Sequence, residues 1–212
     1  MERGTDQPRT SSAGATRLSL VARLGNHDDS QAWRDFVHLY TPLVYGFCRR
    51  QGLQEADAAD VAQETLTQVA HSIRSFVYDR ERGRFRDWLG AIVRSKISRH
   101  FRKRQAQTLD PVSDSAPDPL DRFASPEAVT EWEAVFHDYL LRVALERVRS
   151  DYDDLHWQAF ERVWRDGEPV AEVAASLGLT LAAVYLTKSR LLKRLRAEIE
   201  ALTDDAAHWA KS

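Results

Sequence analysis

Residues 83–104 read GRFRDWLGAIVRSKISRHFRKR. Phe85, Trp88, Leu89, Ile92, Val93, Ile97 and Phe101 recur at the 3.6-residue period of a helix with one apolar face. The other side carries Arg94, Arg99, Arg102 and Lys103, and no acid occurs between Arg94 and Arg104. The spacing predicts a helix starting near Gly83 and Arg84. It buries one side in a core and offers cations on the other, where an anionic partner would meet it.

The same periodicity extends in both directions. Upstream, Trp33, Phe36, Val37 and Tyr40 keep i, i+3, i+4, i+7 spacing from Ser30 onward, and Leu43, Val44 and Phe47 continue the stripe past Pro42, where a kink or restart is expected. Gly52 is the expected stop. Asp57 is the expected N-cap of a further helix with Val61, Leu66, Val69 and Ile73 inward. Asp57, Asp60, Gln63 and Glu64 then share one face. Downstream, residues 105–125 read QAQTLDPVSDSAPDPLDRFAS, a linker composition without period. Ser125 and Pro126 are the cap and first residue of a helix with Val129, Trp132, Phe136, Leu140 and Val143 inward. A helix over Leu155–Trp164 follows, and Pro169 opens a short one.

Residues 169–196, PVAEVAASLGLTLAAVYLTKSRLLKRLR, have the form of a helix-turn-helix. Gly178 serves the turn and Thr180 caps the second helix, which runs from Leu181 toward Leu202. Val173, Ala174 and Leu177 face Val184 and Leu191. The opposite side presents Ala183, Tyr185, Leu186, Ser189, Arg190 and Lys193. Placed in a major groove, such a helix puts its first turns against base edges, and Lys188, Arg190 and Lys193 against phosphates.

Composition bounds the function. The chain has 212 residues and a formal net charge of −2, so bulk charge does not mark a nucleic-acid binder; two acid-free basic stretches, 94–104 and 188–196, flank an acidic one. Cys48 is the only cysteine, which excludes an internal disulfide and a cysteine-rich zinc site. It lies on an apolar stripe and reads as core rather than nucleophile. No apolar run is long enough to span a membrane, and the first residues lack a signal core, so no membrane insertion is expected. His27-Asp28-Asp29 has the paired His-Asp of metal phosphohydrolases, but no other histidine stands in HxxxH or ExxH spacing. GxxxxGK[ST] and GxGxxG are also absent. No enzyme activity, metal or cofactor is expected.

Two runs carry a resemblance: FVHLYTPLVYGFCRRQGLQEADAADVAQETLTQVAHSI (36–73) and YDRERGRFRDWLGAIVRSKISRHFRKR (78–104). They resemble region 2 of RNA polymerase sigma factors of the sigma-70 family, extracytoplasmic-function subfamily. Residues 169–196 resemble region 4 of the same family. The resemblance implies an all-α chain: a tail over 1–29, a region 2 helical bundle over 30–104, an acidic Pro-rich linker over 105–125, a region 4 helix-turn-helix over 126–202 and a tail over 203–212. It implies a cytoplasmic protein that binds core RNA polymerase and promoter DNA, with an anti-sigma protein as a further partner.

By the same resemblance, Asp57, Asp60, Gln63 and Glu64 dock on basic clamp helices of the polymerase. Arg84, Phe85, Arg86, Trp88, Arg94, Ser95, Lys96 and Arg99 serve the −10 element. Thr180, Ala183, Tyr185, Leu186, Lys188, Ser189, Arg190 and Lys193 serve the −35 element. Two departures stand out. Ser95 replaces an asparagine found in many members, and Tyr185-Leu186-Thr187 replaces a Lys-Ser-Arg run. The alternative is a stand-alone helix-turn-helix regulator, which has no reason to carry both the acidic face and the GRFRDWL helix.

Overall fold

The computed structural model describes residues 19–26, 28–73, 85–107 and 119–203, and among them all regular structure is helical. The expected tails fall largely outside these residues, as do Gly83 and Arg84 at the start of the basic helix and residues 108–118 of the linker.

The end of the expected N-terminal tail is ordered helix. α1 (Leu20–Arg23) buries Leu20 and Val21, with Leu24 beneath it. The Arg23 guanidinium places Nε and Nη2 each 3.0 Å from the Asp29 carboxylate. That hydrogen bond holds Asp29 below the usual carboxylate range. Asp29 also accepts from the Ala32 amide at 2.8 Å and so caps α2 (Ser30–Arg50). Asp29 of the His-Asp-Asp motif is thereby a helix cap, while His27 lies outside the described residues.

α2 runs unbroken through Pro42. Phe36, Tyr40, Leu43, Val44 and Phe47 are buried along one line and hold both halves to the same core. Val37, expected inward, is largely exposed. Cys48 is fully buried, and burial pushes its thiol up to about 12. Gly52, at φ 90°, ends the turn after α2.

α3 (Glu55–Ser72) starts a turn earlier than expected. Gln54, not Asp57, is the N-cap, because its carbonyl already accepts from the Ala58 amide at 2.8 Å. Glu55 and Asp57 fall in the first turn, where their charge complements the helix N-terminus. α4 (Phe85–Gln107) lies against α2 and α3, with Phe85, Leu89, Val93 and Ile97 buried. The stretch read as linker is helical again at α5 (Pro119–Ala124), whose Phe123 stacks on Phe101 at 5.7 Å.

α6 (Pro126–Arg149) begins as expected, with the Ser125 hydroxyl accepting from Ala128. Its two halves belong to different cores. Trp132, Phe136 and Leu140 join the N-terminal cluster of Phe36, Tyr40, Phe47 and Phe85. Ala144 and Val148 join Phe160, Leu191, Leu195 and Ile199. The Trp132 indole donates to the Arg86 carbonyl at 2.8 Å and sits directly over Gly90. Tyr139 donates to the Leu39 carbonyl at 2.8 Å, and Tyr40 to the Leu202 carbonyl at 3.2 Å.

The C-terminal unit follows the expected pattern closely. α7 (Asp154–Trp164) supplies Ala159 and Val163 to a small core with Val173, Ala174 and Val184. α8 (Val170–Leu177) has Pro169 as its cap and ends on Gly178 in the left-handed conformation, φ 66°. Thr180 caps α9 (Leu181–Leu202), accepting from Ala183 at 3.1 Å. α8 and α9 meet at a bend of 110°, the range of a helix-turn-helix.

A Cβ at residue 90 would collide with the Trp132 indole and the Arg94 guanidinium. Gly90→Ala is therefore expected to lower the thermal midpoint by pushing α6 off α4, an overpacking cost of about 1–3 kcal/mol. Thermal unfolding followed by circular dichroism checks it; an unchanged midpoint would show that the indole is not held there.

Candidate nucleic-acid interface

α3 and α4 pack side by side, and their polar edges form the walls of one groove. Its α3 wall carries Asp57, Asp60 and Glu64; its α4 wall carries Lys96, Arg99, His100 and Lys103. The two charges meet across it. Lys96 Nζ lies 3.4 Å from the Glu64 carboxylate, and His100 Nε2 lies 3.7 Å from Asp57. Glu64 is 59% exposed, so the Lys96 pair contributes no more than ~1 kcal/mol and exchanges readily for a better partner. Gln63 and Asp60 continue the α3 face outward beside Thr67, Gln68 and His71. The acidic and amide residues picked from sequence are thus one contiguous face, with Asp57 turned toward His100.

The residues expected at the −10 element divide between two sides of α4. Ser95 and Arg99 are exposed, and with Lys96, Arg102 and Lys103 they line a second shallow groove that reaches Leu120. This side is cationic and open. Phe85, Arg86 and Arg94 lie on the other side. Phe85 is core, with its ring 5.5 Å from Tyr40 and 6.1 Å from Phe36. Arg86 is only 6% exposed; it reaches Glu133 at 3.1 Å, Asp87 at 3.1 Å and the His137 ring. Arg94 is half-buried, its Nη1 has no hydrogen-bond partner, and burial draws its pKa down. In this arrangement Phe85 faces α2, and Arg86 and Arg94 face α6, rather than a ligand. Trp88 is half-exposed beside Phe85, and Arg84 lies outside the described residues.

Glu133 and His137, which hold Arg86, were not among the sequence candidates. They stand on the polar edge of an amphipathic helix, and only the packing of α6 on α4 gives them a basic partner.

On α9 the buried line is Val184, Thr187, Leu191 and Leu195. Its outer face presents Ala182, Tyr185, Leu186, Ser189, Arg190 and Lys193, all exposed, with Ala183 and Lys188 half-buried at its margins. The cap residue Thr180 starts this face. The −35 candidates therefore share one surface, apolar over the first two turns and cationic beyond.

Comparison with known proteins agrees with these features. The pattern described as Sigma-70 region 2 matches residues 36–107, which run from within α2 to the last residue of α4. The ECF RNA polymerase sigma factor SigF of Caulobacter vibrioides is 36% identical over 181 residues, covering 85% of this chain and 92% of the relative. The ECF RNA polymerase sigma factor RpoE of Cereibacter sphaeroides is 24% identical over 179 residues, covering 84% and 92%. The ECF RNA polymerase sigma factor SigE of Mycolicibacterium smegmatis is 23% identical over 195 residues, covering 92% and 72%. These alignments cover most of this chain and of each relative, and all three relatives are sigma factors, so the stand-alone regulator is not favoured. The chain belongs to the ECF sigma factors of the sigma-70 family, and it acts with RNA polymerase on promoter DNA to direct the initiation of transcription.

Proposed function

We propose a division of labour within transcription initiation, carried by the groove in which an acidic α3 wall faces a basic α4 wall. The α3 face of Asp57, Asp60, Gln63 and Glu64 docks on a basic surface of core RNA polymerase. The open side of α4, with Ser95, Lys96 and Arg99, takes the −10 strand, and the half-exposed Trp88 flanks it; Arg84, outside the described residues, is proposed for the same strand by its sequence alone. Cations along a single strand plus an aromatic surface suit an unstacked base. α9 enters the −35 major groove, with Thr180, Ala183, Tyr185 and Leu186 toward base edges and Lys188, Ser189, Arg190 and Lys193 toward the backbone. Catalysis stays with the polymerase, in the cytoplasm. An anti-sigma protein is the partner class that would block these same surfaces.

Such a division requires the chain to open. α9 is 22 residues, about 33 Å long. Its end is hydrogen-bonded to Tyr40, whose ring is 5.5 Å from Phe85. Leu181 therefore stands at most roughly 50 Å from Phe85, summing helix length and side chains. The −10 and −35 elements are about 25 base pairs apart, roughly 85 Å of straight duplex. Release of α6 from α4, and of Leu202 from Tyr40, supplies the missing reach and uncovers Arg86 and Arg94.

Three outcomes follow. Asp60→Lys combined with Glu64→Lys is expected to abolish co-purification with core polymerase while helicity is retained; retained binding would remove the α3 face from the docking surface. Arg190→Ala is expected to weaken promoter binding and to reduce its salt slope by about 1. An unchanged slope would take Arg190 off the phosphates. Dyes on Thr67→Cys and Glu200→Cys, both exposed positions, are expected to lose energy transfer when core polymerase is added. Buried Cys48 stays unlabelled. Constant transfer would mean that the closed arrangement persists in the holoenzyme.

A further inference from the structure

The end of α9 that would enter a major groove is apolar and uncharged. Residues 181–187 read LAAVYLT. Leu181, Tyr185 and Leu186 are 52%, 60% and 53% exposed, the three most exposed large hydrophobic side chains among the described residues. Val184 and Thr187 are turned into the core. Arg190 and Lys193 stand about one and two turns beyond Leu186. The face is thus divided lengthwise, with hydrocarbon at the tip and cations behind it.

That division limits which bases the tip can read. Guanine is read by a bidentate Arg or Lys on O6 and N7, adenine by Asn or Gln, and cytosine by an acid on N4. None of these residue types occurs in 181–187. The hydrogen-bonding groups left there and at the cap are the Tyr185 hydroxyl, the buried Thr187 and the Thr180 hydroxyl, which is already engaged with the Ala183 amide. The major-groove feature that matches exposed hydrocarbon is the C5-methyl of thymine. The flanking Arg190 and Lys193, with Lys188 at the margin, supply the charge that holds such a tip in a groove lined by phosphate, and a protein surface has no such need.

We infer that Tyr185 and Leu186 make this chain's −35 recognition depend on thymine methyl groups rather than on guanine or adenine hydrogen bonding. This rests on α9 being the −35 reader. A methyl buried against Leu186 gains its transfer free energy, while uracil at the same position keeps every hydrogen-bonding group and loses only the methyl.

The test uses the full chain in holoenzyme with core polymerase. A promoter is first obtained by run-off selection, and each thymine of its −35 element is then replaced by deoxyuridine. Affinity is expected to fall roughly two- to five-fold at each contacted thymine. With Leu186→Ala, checked for unchanged helicity, the thymine-to-uracil ratio at one position is expected to fall toward one. A protected −35 element that is indifferent to deoxyuridine, or that contains no thymine, overturns the inference and leaves α9 as the reader. A holoenzyme that starts at a defined site without protecting the −35 region overturns both, and would assign the Leu181–Tyr185–Leu186 tip to a protein contact.

Discussion

The close approach of Trp132 to Gly90 sets the arrangement of everything around it. The indole lies where any side chain at residue 90 would stand, and its N–H is satisfied by the Arg86 carbonyl. A large ring buried with its one polar group paired is both a stable and a directional contact. It fixes where α6 crosses α4, and α6 contributes to the two larger hydrophobic cores. With α6 in place, Glu133 and His137 meet Arg86, Tyr139 reaches Leu39, and the end of α9 comes back to Tyr40.

The same contact decides which cations α6 covers. α4 carries basic residues around much of its circumference, but the side beneath α6 is occupied by its own ion pairs. Arg86 meets Glu133 and Asp87 there, and a phosphate replacing those partners would first have to reach a nearly buried guanidinium and strip it of both acids. On the opposite side Lys96 faces the exposed Glu64 across an open groove, where pairing contributes little. A chain of net charge −2 can thus present a basic strip along one side of α4, because the acids nearest to it stand on the opposite wall of the groove, on α3.

Much of the helical frame was legible before any coordinates. The 3.6-residue stripes of α2, α4, α6 and α9 are long and regular, and the caps Ser125 and Thr180 sit where the stripes begin. α1 and α5 carry no periodic signal, because four and six residues are too short to display one. They are held by a few long-range contacts, Leu24 under α2 and Phe123 on Phe101. The cap of α3 stands one turn before Asp57, and an acid in the first turn and an acid at the cap look alike in a sequence.

For the functional surfaces the sequence by itself determined which residue types lie on one helix face. Spacing alone put Asp60, Gln63 and Glu64 together, and Tyr185, Leu186, Ser189 and Lys193 together, because helix geometry fixes azimuth. Only the tertiary structure decided which of those faces look outward. Ser95 and Arg99 are open while Phe85, Arg86 and Arg94 are covered, although all five lie on one helix. The reason is that azimuth is a local property of the chain, whereas burial is set by the partner helix. α6 reaches α4 through contacts about forty to fifty residues away in sequence, such as Trp132 on the Arg86 carbonyl, which no local pattern encodes.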